Sequence, residues 1–151
     1  LTGQACTATS RVIVERSVAD AFTAKLIEKA KAIVVGNGLK SGVTMGPAVS
    51  KAQLEGNLNY VAIAQQEGAS LLCGGARLSD GDLAHGYFMQ PTVLGNVKPA
   101  ARIACEEVFG PVVGIIPVDG FDEALVVANS VDVGLSASLV TRDLRSEEPH
   151  V

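Results

Sequence analysis

The chain has 151 residues, 48% of them hydrophobic but only 4% aromatic, no Trp, and a net charge of -4. That length suits one ordinary domain, with a core of Val, Leu, Ile and Ala rather than rings. The acidic balance speaks against a nucleic-acid binder, which carries a basic face, and no run of about 18 apolar residues is present to span a membrane. The three cysteines, Cys6, Cys73 and Cys105, are odd in number and form no CxxC pair. A disulfide framework or structural zinc site is therefore not expected, and a reducing, cytoplasmic compartment fits. The two histidines, His85 and His150, are too scattered for a metal cluster. No basic-then-apolar leader precedes Cys6, so no secretion signal is expected. A start at Leu1 rather than Met suggests a piece of a longer chain.

In chain order, Arg11–Glu15 reads as a strand, because Val12, Ile13 and Val14 form a β-branched run. Ser17 with Asp20 has the capping-box spacing, and a helix is expected to follow. Val18, Phe22, Leu26, Ala30 and Ile33 form its apolar stripe, with Lys25 and Lys29 toward water. Gly36-Asn37-Gly38 is its expected stop. Met45-Gly46-Pro47 reads as a turn. Ser50 and Gln53 repeat the capping-box spacing before a helix with Leu54, Leu58 and Val61 inward, ending near Glu67 at Gly68. Ala69–Cys73 reads as a strand before a Gly74-Gly75 turn, and 79–85 as a polar loop. Tyr87–Leu94 and Val112–Val118 read as extended. Asp119 is the expected cap of a helix over Phe121–Asn129, and Ala137–Thr141 a last strand. The polar end, Arg145–Val151, is expected to be disordered. Strands alternating with helices imply an α/β fold with a mostly parallel sheet and flanking helices.

Two segments could carry chemistry. In Gly3-Gln4-Ala5-Cys6-Thr7-Ala8-Thr9-Ser10 the cysteine sits among small side chains that leave room beside the sulfur. A helix opening there would favour the thiolate, the nucleophilic form. A lone cysteine is, however, more often a small buried hydrophobe. In Glu106-Glu107-Val108-Phe109-Gly110-Pro111 two carboxylates precede an aromatic, a Gly and a Pro. A carboxylate there could accept from sugar hydroxyls, or the segment could be a plain structural turn. Gly74-Gly75 has neither the GxGxxG spacing nor the Lys-Ser/Thr ending of a phosphate loop. Cys73 and Cys105 read as core or near-core residues.

Taken together and in order, these segments resemble the aldehyde dehydrogenase superfamily. The matching stretches include Gly3-Gln4-Ala5-Cys6 with Ser10-Arg11, Val35-Gly36-Asn37, Met45-Gly46-Pro47, Glu67-Gly68-Ala69 and Gly74-Gly75. They continue through Gly86-Tyr87-Phe88, Pro91-Thr92-Val93, Glu106 to Pro111, Ala128-Asn129, Gly134 to Ala137 and Thr141-Arg142-Asp143. Within the superfamily, Ala-Cys-Thr-Ala-Thr-Ser-Arg is most similar to the semialdehyde-oxidising bacterial enzymes. The resemblance covers residues 1–144, a partial, truncated catalytic domain amounting to roughly a third of a full-length member. Residues 145–151 depart from the family's continuation.

By that resemblance Cys6 is the catalytic nucleophile, its backbone N–H half of an oxyanion hole. Glu107 and Phe109 are the cofactor-binding residues, one at the nicotinamide ribose and the other beside the ring, and Gln4 and Thr7 line the substrate pocket. The implied activity is oxidation of an aldehyde to a carboxylate through a Cys6 thiohemiacetal and thioester, with NAD or NADP in the full-length parent. The family's general-base glutamate, oxyanion-hole asparagine and dinucleotide domain lie upstream of this stretch. NAD(P) binding by the 151 residues alone is therefore not expected. The alternatives are a cofactor-independent cysteine esterase acting on small activated esters, and an inactive folded remnant. The expected partners are a small aldehyde or ester and further copies of the chain, a homo-oligomer, because sheet edges and apolar faces would otherwise stand open. Neither nucleic acid, membrane nor metal is expected.

Overall fold

The strand that organises the molecule is Val112–Val118 (β6), whose side chains are buried on both faces. Its near-continuous apolar run is what a strand covered by helices on two sides requires. The computed structural model describes residues 1–142, so the expected tail at 145–151 and the boundary at 144 lie outside the described residues. Among the described residues, Arg11–Glu15 (β1), Ser70–Cys73 (β2), Thr92–Gly95 (β5) and β6 form one four-stranded sheet in the order β1-β6-β5-β2. β1 and β5 both run parallel to β6, while β2 pairs antiparallel with β5 through an irregularity between Leu71 and Cys73. The sheet is thus mostly parallel, with one antiparallel edge. Arg77–Leu78 (β3) and Phe88–Met89 (β4) make a separate two-stranded ladder.

Successive strand residues point to opposite faces, and the two halves of the core follow that alternation. Val93 and Ile115 pack with Val14 and with Ala30 of Arg16–Lys31 (α1). Their neighbours Leu94 and Ile116 pack on the other face with Leu54, Val61 and Ala64 of Lys51–Gln66 (α2). Ile103 and Ala104 of Arg102–Cys105 (α3) and Val127 of Phe121–Ala128 (α4) complete that side. The result is the expected α/β architecture, a sheet with helices on both faces.

β1 and β6 fall where their β-branched runs put them. α2 begins as expected, with Ser50 Oγ accepting from the Gln53 N–H at 3.1 Å, and Gly68, at φ 100°, ends its C-terminal loop. Other expectations fail. Ser17 does not cap α1: β1 runs straight into the helix, and extended Glu15 is the cap, without a side-chain bond. The helix stops at Lys31, before Gly36. Its face is correspondingly rotated, so that only Ala30 is buried while Val18 and Phe22 remain 54% and 39% exposed. Gly46 and Pro47 do not form a turn; Met45 bridges Val35 in extended backbone. Tyr87–Leu94 is two strands, interrupted at Gln90-Pro91, where proline has no N–H to give a ladder. Asp119 does not cap α4: Gly120 occupies that position, and the Asp119 carboxylate faces Arg16 at 2.6 Å. Ala137–Thr141 forms no strand, because it finds no ladder partner among the described residues, and Val140 is 97% exposed. The short α3 has no periodic stripe and was not expected. Cys73 is half-buried and Cys105 exposed, the latter against the expectation of a core residue.

Candidate active site

The Cys6 segment is held on the sheet's end by contacts that depend on small residues. Gly3 has φ 68°, and a Cβ there would lie 2.1 Å from the Gly110 carbonyl oxygen. Only glycine allows both that backbone conformation and that approach. Thr2 is itself left-handed at φ 58°, and its Oγ1 donates to the Gly46 carbonyl at 3.1 Å. The Gln4 amide is engaged at both ends. Its oxygen accepts from the Val49 N–H at 2.7 Å and its nitrogen donates to the Leu1 and Pro47 carbonyls at 3.2 and 3.4 Å. Cys6 then sits in a tight turn, Ala8 N–H donating to the Ala5 carbonyl at 2.9 Å. The segment does not open a helix, so the helix dipole anticipated for the sulfur is not there. Cys6 is exposed, and its backbone N–H has no hydrogen-bond partner among the described residues.

The opposite wall is the turn after α3. Its two adjacent carboxylates have different fates. Glu106 is fully engaged: Arg102 Nε and an Arg102 terminal nitrogen donate to its two oxygens at 2.8 and 2.9 Å, and the Tyr60 hydroxyl donates at 2.6 Å. The Arg102 guanidinium first, and the Tyr60 hydroxyl second, hold the Glu106 carboxyl down at about 2, and the same Glu106 bond pushes the Tyr60 hydroxyl up. Glu107 is exposed, and its side chain has no partner among the described residues. Val108 is buried, and Phe109 turns the chain at φ 56°, an uncommon conformation for an aromatic residue.

Cys6, Glu107 and Phe109 line one cleft of about 70 Å³, with Ala5, Ala8, Gly110 and neighbouring residues. Gln4 and Phe109 share a second, more open hollow of about 460 Å³ with Leu1, Thr2, Gly46, Pro47 and Val49. Phe109 therefore belongs to both. Thr7 is exposed and borders neither. Two residues reach the turn from α2: Gln53, expected only as the capping-box partner of Ser50, and Asn57, which the sequence did not single out. Gln53 Nε2 donates to the Val108 and Phe109 carbonyls at 2.9 and 3.1 Å. The Asn57 amide, 0% exposed, lies between Gln53 Nε2 at 2.8 Å and the Val108 carbonyl at 3.0 Å. The available signal was a buried-face Asn between Leu54 and Val61, a polar group that has to be paired.

The profile of the Aldehyde dehydrogenase family matches residues 1–148. The chain belongs to the aldehyde dehydrogenase family. It is 49% identical over 143 residues to alpha-ketoglutaric semialdehyde dehydrogenase of Bacillus subtilis, covering 95% of this chain and 29% of that protein. It is 51% identical to alpha-ketoglutarate semialdehyde dehydrogenase of Haloferax volcanii, covering 94% and 29%. Among solved structures, betaine aldehyde dehydrogenase of Staphylococcus aureus in complex with NAD+ superposes with TM-score 0.92 at 37% identity, covering 96% of this chain and 29% of that one. The chain thus spans 29% of the length of the curated relatives it matches. Its fold is that of the family's catalytic domain, and the likeness to semialdehyde dehydrogenases read from the sequence around Cys6 holds. Among the described residues no helix is long and apolar enough to cross a membrane.

Proposed function

We propose that this chain is the nucleophile-bearing part of the catalytic domain of an NAD(P)-dependent aldehyde dehydrogenase. The observation that carries the reading is the shared cleft, where exposed Cys6 faces the turn bearing Glu107 and Phe109. The Cys6 sulfur, as thiolate, attacks the aldehyde carbon and forms the C–S bond of a thiohemiacetal. The Cys6 N–H, without a hydrogen-bond partner among the described residues, is available to meet the charge that develops on oxygen. A nicotinamide held by Glu107 and Phe109 in the full-length parent would supply the acceptor for the hydride that leaves the thiohemiacetal carbon, and a Cys6 thioester would remain. Water then cleaves the thioester, releasing carboxylate and returning the thiol.

The residues present fit such a cofactor. Glu107, without a side-chain partner among the described residues, is an acceptor-only group suited to ribose hydroxyls, and the Phe109 ring offers an apolar face to a flat heteroaromatic. Gln4 and Thr7 are assigned to the substrate side; Gln4 acts there through the backbone it holds, since both ends of its amide are occupied. The substrate class is a small aldehyde, and α-ketoglutarate semialdehyde is the first to try, since two relatives bear that name. A reducing cytoplasm suits the three free cysteines. Exposed Val126, Val133 and Leu135 support a homo-oligomer, to be read by light scattering.

A second reading is that the chain works without cofactor as a cysteine esterase on small activated esters. It is favoured by the exposure of Cys6, since acylation and deacylation need no hydride acceptor. Both readings are tested by steady-state hydrolysis of p-nitrophenyl acetate by this chain, run beside NAD+ reduction with the semialdehyde by the full-length parent. Multiple ester turnovers that vanish in Cys6→Ala support Cys6 as nucleophile, and NAD+ reduction on top of them selects the dehydrogenase. Ester turnover unchanged by Cys6→Ala would remove both.

A further inference from the structure

We infer that a polar stripe on α2, Gln53, Asn57 and Tyr60, is a positioning device that fixes how the Glu106–Phe109 turn presents itself to the cleft. The inference rests on the reading of Glu107 and Phe109 as cofactor contacts and deepens it. The three residues stand at i, i+4 and i+7, so they share one side of the helix. Beside them Leu54, Val61 and Ala64, all nearly inaccessible, lock α2 against the sheet. The stripe is therefore carried on a rigid support, which is what a positioning group needs.

The members meet the turn at its entry and at the two carbonyls after Glu107. Tyr60 donates to Glu106 at 2.6 Å, next to the Arg102 pair, and anchors the entry. Gln53 Nε2 holds the two carbonyls that follow Glu107, at 2.9 and 3.1 Å, and the Asn57 amide packs against that nitrogen at 2.8 Å and the Val108 carbonyl at 3.0 Å. Gly110 is tight against the same device, since a Cβ there would lie 2.3 Å from the Asn57 side-chain amide. Phe109 is held between these grips at φ 56°. A strained non-glycine residue keeps such a conformation only where its surroundings over-determine it, and the two amides supply that determination. With Glu106 consumed as the anchor, its neighbour Glu107 is left as the carboxylate free for a ligand.

The test uses the whole chain with Gln53→Met and Asn57→Leu, which keep side-chain bulk and remove the amides. Two readouts are taken. The first is the intraresidue amide-to-Hα NOE of Phe109, which is strong when φ is positive. The second is NAD+ affinity by titration, made with the same substitutions in the full-length parent, since the 151 residues alone are not expected to bind the cofactor. Both variants are expected to keep their far-UV circular dichroism and the β5–β6 amide resonances, to lose the strong Phe109 NOE, and to bind NAD+ roughly tenfold more weakly. Tyr60→Phe, which removes only the entry grip, is expected to weaken NAD+ binding less than either. A Phe109 NOE that survives in both variants overturns the inference. Unfolding of both variants overturns it as well, because the stripe is then plain core. A Phe109 that reorients with no change in the NAD+ affinity of the full-length parent leaves the clamp standing and refutes the cofactor reading instead.

Discussion

Replacing Gly3 by Ala tests whether the Cys6 segment is held by backbone approach. The added methyl meets three backbone atoms of Gly110 and Pro111, the nearest at 2.1 Å, and the backbone must also keep φ 68°. The left-handed conformation costs a non-glycine residue about 1–3 kcal/mol, and overpacking about 1–3 kcal/mol more. Against this stand three side-chain ties to the 46–49 stretch, from Thr2 and both ends of Gln4. At about 0.5–1.5 kcal/mol each they supply roughly 1.5–4.5 kcal/mol. Cost and restraint are thus similar, so the segment is expected to detach locally rather than unfold the domain. Hydrogen exchange read by mass spectrometry should show faster exchange over residues 1–10 in Gly3→Ala, with β5 and β6 unchanged. Gly42→Ala is the matched control, since Gly42 has φ 83° and nothing within 4 Å of its Cβ position. It carries the backbone strain alone and should leave residues 1–10 as in wild type. Equal exchange of that segment in wild type and Gly3→Ala would refute the reasoning.

Other perturbations have equally definite expectations. Ser50→Ala removes the α2 cap and should lower stability by about 1 kcal/mol in urea unfolding; no loss would mean the cap is replaced by water. Leu94→Ala empties a wholly inaccessible position between the sheet and α2, and a loss of about 2–5 kcal/mol is expected by the same assay. Glu106 is held at about 2, below its ordinary value of about 4.3. Its contribution is therefore fully present above pH 4.3 and is lost as pH falls toward 2. The difference in Tm between wild type and Glu106→Gln should be constant from pH 7 to 5 and shrink below that; a difference independent of pH down to 2 would contradict the Arg102–Glu106–Tyr60 arrangement.

Local chemistry made part of this molecule readable from the chain. The β-branched runs of β1 and β6 and the Ser50–Gln53 cap of α2 are signals that tertiary contacts reinforce. α1 was misplaced because no loop separates it from β1, so the helix takes its start and its rotation from the strand rather than from Ser17. Ala137–Thr141 carries a strand pattern, but a strand is a pairing, and its pattern names no partner. At the site, residue types pointed to Cys6 and to the Glu106–Pro111 turn only as open alternatives. What joins them is the contact of Gly3 with Gly110, which no spacing announces, and it was the ordered resemblance to a family that linked them. Gln53 was legible only as a capping-box residue and Asn57 not at all, because what they reach is a distant turn. Thr7, assigned by resemblance to the substrate side, stands outside both hollows of the described residues.

The most direct test of the central claim, that Cys6 is a nucleophile set in a ligand cleft, is site-resolved acylation. The chain is treated briefly with p-nitrophenyl acetate, and the acyl group is located by peptide mass mapping. Cys105 is the internal control, since it is also exposed but its thiol lies against the Pro99 carbonyl, away from the cleft. The result expected is preferential acylation of Cys6 over Cys105 and Cys73, falling toward the Cys105 level in Gly3→Ala. Acylation of Cys105 as fast as Cys6 in the wild type would contradict it, because exposure alone would then explain the reaction.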